Sequence, residues 1–273
     1  LQAISFALIL FCAMPAAARN WLFKNGKSDY RIVLDRQASP SEKKAAEELQ
    51  MYIKQISGAQ LPITDDATSK GRRIFVGFGS AVADITGAQK PEADDEGFTY
   101  RTVGKDLLIY GGAQRGSMYG VFSFLEDELG IRFFNPDVTH VPRRRSIEIG
   151  ALDRSDAPVM EYREPSIAEL RNTEFSVRRR VNGNFSRSRV PKFGGGVGYA
   201  LGYFVHTFTR LLPPDVYFDD HPEYYAEIDG QRIREKTQLC LSNPDVLELV
   251  KGRVLEELRK QPDARLFSVS QDD

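Results

Sequence analysis

Two adjacent carboxylates, Asp272 and Asp273, directly follow the alternating run Leu266-Phe-Ser-Val-Ser270. That alternation predicts a strand over 265–270. Parallel barrels gather their reactive groups at the carboxyl ends of strands. Paired carboxylates suit glycoside chemistry, in which one group acts as an acid and the other stabilises a cationic centre. His206 stands between the aromatic-rich stretch 199–205 and Thr207-Phe208. It reads either as a satisfied structural histidine or as a group that touches sugar hydroxyls or handles a proton. His140 and His221, like His206, lack the spacing of a metal site, and no metal or cofactor is expected. His221-Pro-Glu-Tyr-Tyr225 has the aromatic content of a sugar platform, and equally of ordinary packing.

Other chemistries lack residues they need. Gly77-Phe-Gly79 follows a predicted strand, but position 82 is Val where a dinucleotide loop needs its third glycine, and no Walker lysine is present. Gly194-Gly-Gly196 reads as a flexible loop, and the G-x-S-x-G elbow of serine hydrolases is absent.

The elements that must position the carboxylates fall into two parts. Tyr30–Asp35 reads as a strand, and Ser39-Pro-Ser-Glu42 opens a helix with a reciprocal cap. Ala45, Leu49, Tyr52, Ile53 and Ile56 form its apolar face, and Gly58 ends it. Strands follow at 73–78, 97–103 and 106–110, the last two joined by a tight turn at Gly104-Lys105. A second helix carries Met118, Val121, Phe122, Leu125 and Leu129. Short strands near 131–134 and 146–149 close the unit. The pattern predicts a small α/β domain over 28–150, with a mixed sheet in two layers. Residues 151–158 read as a linker. A new strand is expected at Val159-Met-Glu-Tyr-Arg163, then a long Gly-, Arg-, Asn- and Ser-rich loop from Asn172 to Gly202. A helix opened by Asn243-Pro244 carries Leu247, Val250, Val254 and Leu258.

Composition bounds the partners. The 273 residues are 41% hydrophobic with a formal net charge of −1, which gives a real core and no electrostatic case for nucleic acid or an anionic membrane. The basic runs Arg143–Arg145 and Arg178–Arg180 lie among acidic residues and read as solvated loops. Residues 1–18 differ from the rest. Ile4–Met14 is almost wholly apolar and Pro15-Ala-Ala-Ala18 follows, as in a signal peptide of a secreted or periplasmic protein. The stretch is too short to span a membrane. Phe11 argues against a lipid anchor on Cys12, because such sites want a small residue there. Without that segment Cys240 is the single cysteine, so no internal disulfide is expected.

Several motifs together carry a family resemblance. Leu108-Ile-Tyr-Gly-Gly-Ala-Gln-Arg-Gly-Ser-Met-Tyr-Gly-Val-Phe-Ser-Phe-Leu-Glu126 resembles the end of the small domain that precedes the barrel in family 20 hexosaminidases and α-glucuronidases. Glu161-Tyr-Arg-Glu164, His221–Tyr225, Gln238–Pro244 and Ser268–Asp273 resemble a bacterial family of unknown function, part of which is classed as glycoside hydrolase family 163, endo-β-N-acetylglucosaminidases. The resemblance implies that 156–273 is the first part of a truncated (β/α)8 barrel. It also implies retaining hydrolysis assisted by the substrate's own acetamido group. Arg163 resembles the arginine that grips the sugar, and Asp273 matches the acidic residue closing the family's Ser-Val-Ser-Gln motif. That motif usually ends Asn-Asp, so Asp272 is an additional carboxylate. The resemblance places the catalytic acid on a later strand, beyond Asp273, so the chain as given is expected to have little activity alone. A carbohydrate substrate follows from it. An α-glucuronidase-like activity and a non-catalytic carbohydrate-binding protein remain as alternatives.

Overall fold

The computed structural model describes residues 20–183 and 190–272. The expected signal peptide, with Cys12, and Asp273 lie outside the described residues.

The first half contains β1 (Trp21–Phe23), β2 (Tyr30–Leu34), α1 (Pro40–Ser57), β3 (Ile63–Thr64), β4 (Arg72–Val76), α2 (Ser80–Thr86), β5 (Phe98–Val103), β6 (Asp106–Gly111) and α3 (Gly116–Asp127). Short strands β7 (Arg132–Phe133), β8 (Thr139–His140), β9 (Ile147–Glu148) and β10 (Asp153–Asp156) follow. The sheet runs β10-β5-β6-β4-β2-β3. β3, β2, β4 and β6 are mutually parallel; β5 pairs antiparallel with β6, and β10 antiparallel with β5.

Local chemistry sets these elements as the sequence implies. The Ser39 Oγ accepts from the Glu42 N–H at 3.1 Å, and the Glu42 carboxylate accepts from the Ser39 N–H at 2.8 Å. Two of the free donors at the helix start are thereby satisfied. Gly58 closes α1 at φ 82°, a left-handed conformation that costs glycine little. Gly104, at φ 62°, makes the β5–β6 turn.

Alternation along the strands sends side chains to two faces. Ile32, Ile74, Val76, Leu107 and Ile109 pack with the apolar faces of α1 and α3. Val33, Phe75, Leu108 and Tyr110 face the other way and are covered by Val82 of α2. The expected two-layer domain therefore carries a third layer. The continuous run Leu107–Tyr110 is the signal for it, because a strand apolar at every position is buried on both faces.

The Gly111-Gly112 and Gly116 positions let backbones meet. A Cβ on Gly116 would lie 2.4 Å from the Gly97 carbonyl oxygen and 2.8 Å from that of Asp95. Gly116→Ala is expected to destabilise the fold by about 1–3 kcal/mol, read as a lower denaturation midpoint with an unchanged slope.

The second half departs from several expectations. The presumed linker contains β10, whose residues Asp153–Asp156 pair with Arg101–Phe98. The long loop contains α4 (Thr173–Arg178), capped by the Asn172 side chain, which accepts from Phe175 N–H. Leu170, Phe175, Val177, Val181 and Phe193 bury themselves in the core of the first half. The Arg178–Arg180 run is not a solvated loop. Arg178 reaches Glu48 at 3.0 Å and lies over the rings of Tyr52 and Phe133, and Arg180 reaches Glu126 at 2.7 Å. The balancing carboxylates are distant in sequence, so local charge patterning did not show them. Arg143–Arg145 is exposed.

Beyond lie α5 (Phe208–Leu211), α6 (Pro214–Tyr217), the hairpin β11 (Glu227–Ile228) and β12 (Gln231–Arg232), and α7 (Pro244–Lys260). α7 packs Val250 and Val254 against Ala200, Tyr203, Leu211 and Phe267. The strands expected at 159–163 and 265–270 do not form as regular strands. Only the parallel bridge Tyr199↔Leu266 is present, with Ala200 N–H donating to Leu266 and Ser268 N–H to Tyr203. The physical reason is that side chains take the places of neighbouring strands. Asn182 donates from Nδ2 to the Glu161 carbonyl and accepts from the Arg163 N–H, and the Thr207 Oγ1 accepts from the Ser270 N–H.

Candidate functional site

Three segments quoted for their chemistry converge around Ser270 and Asp272. The first is 206–209. Thr207 is fully buried; its N–H and that of Phe208 donate to the Ser270 carbonyl at 3.1 Å each. The Thr207 Oγ1 returns the contact by accepting from the Ser270 N–H at 2.9 Å. The next residues reach the carboxylate itself: Thr209 N–H donates to Asp272 Oδ2 at 2.9 Å.

The second segment is Gln238. Its amide brackets the Asp272 backbone, with Oε1 accepting from the Asp272 N–H at 3.1 Å and Nε2 donating to the Asp272 carbonyl. A side-chain amide here imitates a neighbouring strand. The third segment is 268–272 itself; just before it Phe267 stacks on Tyr203 at 4.3 Å, and within it Ser268 Oγ donates to Ser270 Oγ at 3.1 Å. Asp272 is half-buried; one carboxylate oxygen is held and the other accepts no hydrogen bond among the described residues. A carboxylate so fixed can accept a hydroxyl or amide proton from a ligand without reorganising.

Each sequence-derived candidate can now be placed. His206 is exposed, sits at φ 54° and immediately precedes the Thr207 clamp. A left-handed non-glycine residue is uncommon, and here the hydrogen bonds that follow hold it. The segment that follows His206 is thus held against the segment that carries Asp272. Arg163 lines a separate open cleft of about 1020 Å³ with Tyr119, Tyr162 and Arg180, which includes neither His206 nor Asp272. Its guanidinium donates to Glu96 at 2.5 Å, to the Arg180 carbonyl at 2.8 Å and to the Met160 carbonyl at 2.7 Å. Glu96 also takes Arg115 at 2.5 Å and Asn182 Nδ2 at 2.9 Å. Burial, ahead of the Glu96 charge, pushes the Tyr119 phenol beside this network above its ordinary range. Tyr119 thus stays protonated at neutral pH. The two places are joined by packing: Tyr162 meets Tyr199 edge-on at 5.5 Å, and Tyr199 bridges Leu266.

Sequence reasoning gave no role to Thr207, Thr209 or Gln238. The available signal was their place inside conspicuous motifs next to His206 and Cys240. Among the described residues no group of three or more His, Cys, Asp or Glu side chains could hold a metal ion. No helix among them is long and apolar enough to cross a membrane.

Removing the Gln238 amide tests the bracket. Two hydrogen bonds of ~0.5–1.5 kcal/mol each are lost in Gln238→Ala, so the Asp272 amide is expected to exchange with solvent roughly tenfold faster. An unchanged exchange rate would mean that the bracket holds nothing.

Comparison with known proteins decides the family. Residues 133–273, just over half of the chain, match the family described as Domain of unknown function (DUF4838). The chain belongs to this family. Ahead of the DUF4838 region, residues 23–124 match Glycosyl hydrolase family 67 N-terminus. Probable alpha-glucuronidase A of Neosartorya fischeri is 35% identical over 83 residues, which are 30% of this chain and 10% of that protein. The chain thus spans only a tenth of the curated relative it matches. A family GH115 4-O-methyl-α-glucuronidase, BtGH115A, with specificity for decorated arabinogalactans, superposes with a TM-score of 0.51 at 16% identity, over 85% of this chain and 34% of that structure. A Streptomyces plicatus β-hexosaminidase aligns over 88% of this chain and 42% of its own at 14% identity, with a TM-score of 0.39. This DUF4838 chain is accordingly a mixed α/β protein built from glycoside hydrolase-related domains.

Proposed function

We propose that this chain is the front part of a secreted or periplasmic glycoside hydrolase acting on N-acetylhexosamine-containing glycans, by an endo-β-N-acetylglucosaminidase-like, substrate-assisted route. The observation that carries the reading is the convergence of 206–209, Gln238 and 268–272 on one anchored acidic segment. The parallel contacts of 199–203 with 266–268 fit the opening of a (β/α)8 barrel over 156–273. In this reading the sugar's acetamido oxygen attacks the anomeric carbon, and Asp273 polarises and orients the acetamide. Asp272 is the anchor whose bonds to Thr209 and Gln238 set its neighbour. His206, beside the clamp, meets sugar hydroxyls. Arg163, in the separate cleft linked to this segment through Tyr162 and Tyr199, holds further hydroxyls of an extended glycan. The acid that protonates the leaving oxygen comes from a later part of the whole protein.

One observation favours a second reading. The first half matches the family 67 N-terminus, and a relative bears the name of a probable α-glucuronidase. Assay of the whole protein on an N-glycan and on glucuronoxylan separates them. Release of the glycan from the N-glycan substrate supports the proposal. Release of glucuronic acid alone would replace it with the α-glucuronidase reading, and no cleavage of either would leave a carbohydrate-binding role.

A further inference from the structure

We infer that the first domain carries a second binding site, for an uncharged saccharide, at the carboxyl ends of β2 and β4. β2 and β4 are adjacent and parallel, pairing from Tyr30↔Arg72 to Leu34↔Val76. The chain leaves β2 into α1, which packs on the Ile32 and Ile74 face. It leaves β4 into α2, which packs on the Val33 and Phe75 face. Two neighbouring strands whose connections depart to opposite faces leave a crevice between them, and open α/β sheets bind ligands in that crevice.

The crevice is present as a cleft of about 860 Å³. Its walls are the β2 end (Val33–Gln37), the β4 end (Phe75–Gly79) and the first residues of α2. The volume lies within the range of small-molecule sites. It is remote from Asp272, His206 and Arg163, none of which lines it.

The lining selects the class of ligand. Asp35, Glu42, Asp65 and Asp66 outnumber Arg36 and Lys90, and Arg36 is already paired with Asp65 at 3.2 Å. A phosphate or carboxylate ligand would meet net negative charge. Asp35 accepts from the Gln37 N–H on Oδ1 at 2.8 Å, and its Oδ2 takes no hydrogen bond among the described residues. Gly79 has no Cβ to crowd this oxygen; one would lie 2.5 Å from it. On the β4 wall of the same cleft, the half-exposed Phe78 ring rests edge-on against Tyr110 at 5.5 Å. A carboxylate acceptor and an aromatic ring lining one cleft match a ligand with hydroxyl donors on its rim and C–H groups on its face. A neutral sugar ring has both, without the charge the site would repel.

The inference is independent of the reaction proposed above, because the two sites share no residue. The test is an amide chemical-shift titration of the full chain with chitobiose, xylobiose and cellobiose, and separately with ATP and spermidine. Neutral disaccharides are expected to shift the amides of 35–37 and 77–81 with saturation. Asp35→Asn keeps the acceptor for Gln37 and is expected to weaken binding about tenfold. Ser80→Trp, on the exposed rim, is expected to abolish it by occupying the mouth. Absence of saturable shifts at these amides up to about 20 mM, some twentyfold above a millimolar Kd, would overturn the inference. So would saturation by ATP or spermidine alone, or a saccharide response that both variants leave intact.

Discussion

Replacing Glu96 by alanine is expected to lower the unfolding free energy by about 3–5 kcal/mol, the largest stability loss of any single change considered for this chain. The carboxylate holds two guanidinium groups from opposite halves of the chain. Arg115 and Arg163 both lie 2.5 Å away, and the three side chains are 5%, 15% and 11% exposed for Arg115, Arg163 and Glu96. The small exposure of all three groups leaves little room for water to solvate the freed cations. Removing one partner of a buried pair leaves the other charge desolvated and uncompensated, which costs far more than the pair contributes net. Here one deletion strands two cations together, and they also repel each other. Asn182 loses its acceptor in the same step. Its amide in turn holds the Glu161 carbonyl and the Arg163 N–H, so the damage extends into the segment leading to Arg163. Glu96→Gln keeps acceptors and volume and is expected to lose less. Guanidinium unfolding followed through the single tryptophan, Trp21, measures both. A loss below about 0.5 kcal/mol for the alanine variant would place the network among surface pairs that contribute little.

The first domain was largely legible because its signals are local. The Ser39–Glu42 cap, the Gly58 stop and the Gly104 turn each lie within four residues of what they control. The apolar faces of α1 and α3 follow helical spacing, and both pack on one side of the sheet. α2 was missed because it is seven residues long and buries only Val82, too little for a periodic pattern. β10 was missed because Asp153–Asp156 has no apolar residue; it joins the sheet through backbone pairing and remains exposed on its outer side.

The second half was less legible because its order rests on contacts distant in sequence. Arg163 finds Glu96, Arg178 finds Glu48, and Gln238 finds Asp272 across spacings that no local pattern encodes. The apolar alternation at 265–270 is real. The strand it predicts is replaced by brackets from Thr207 and Gln238, whose side chains serve as the neighbouring ladder. The candidate acidic segment was thus found from its residue types, while the groups that fix it became visible only in three dimensions. Arg163, named from resemblance as a residue that grips sugar, joins the halves of the chain through Glu96.

The second large effect concerns the reaction. In the whole protein, Asp273→Asn is expected to lower kcat by about 10²–10⁴-fold, the usual contribution of one well-placed acid–base group. KM should change little, because a charge that matters mainly as the acetamide attacks acts on the transition state. Asp272→Asn is expected to lose less. Its held oxygen accepts a backbone N–H from Thr209, a bond that an asparagine carbonyl also accepts. Its backbone bracket to Gln238 does not involve the carboxylate at all. The two variants therefore separate an anchoring carboxylate from a reacting one.

The measurement that bears most directly on the proposal is the steady-state hydrolysis of an N-glycan substrate by the whole wild-type protein and by Asp273→Asn. The account predicts cleavage at an N-acetylglucosamine linkage by the wild type and a kcat lower by at least about a hundredfold in the variant, with KM within a few-fold. Cleavage by the variant at the wild-type kcat would remove Asp273 from the reaction, and a wild-type protein that leaves the glycan intact would contradict the account as a whole.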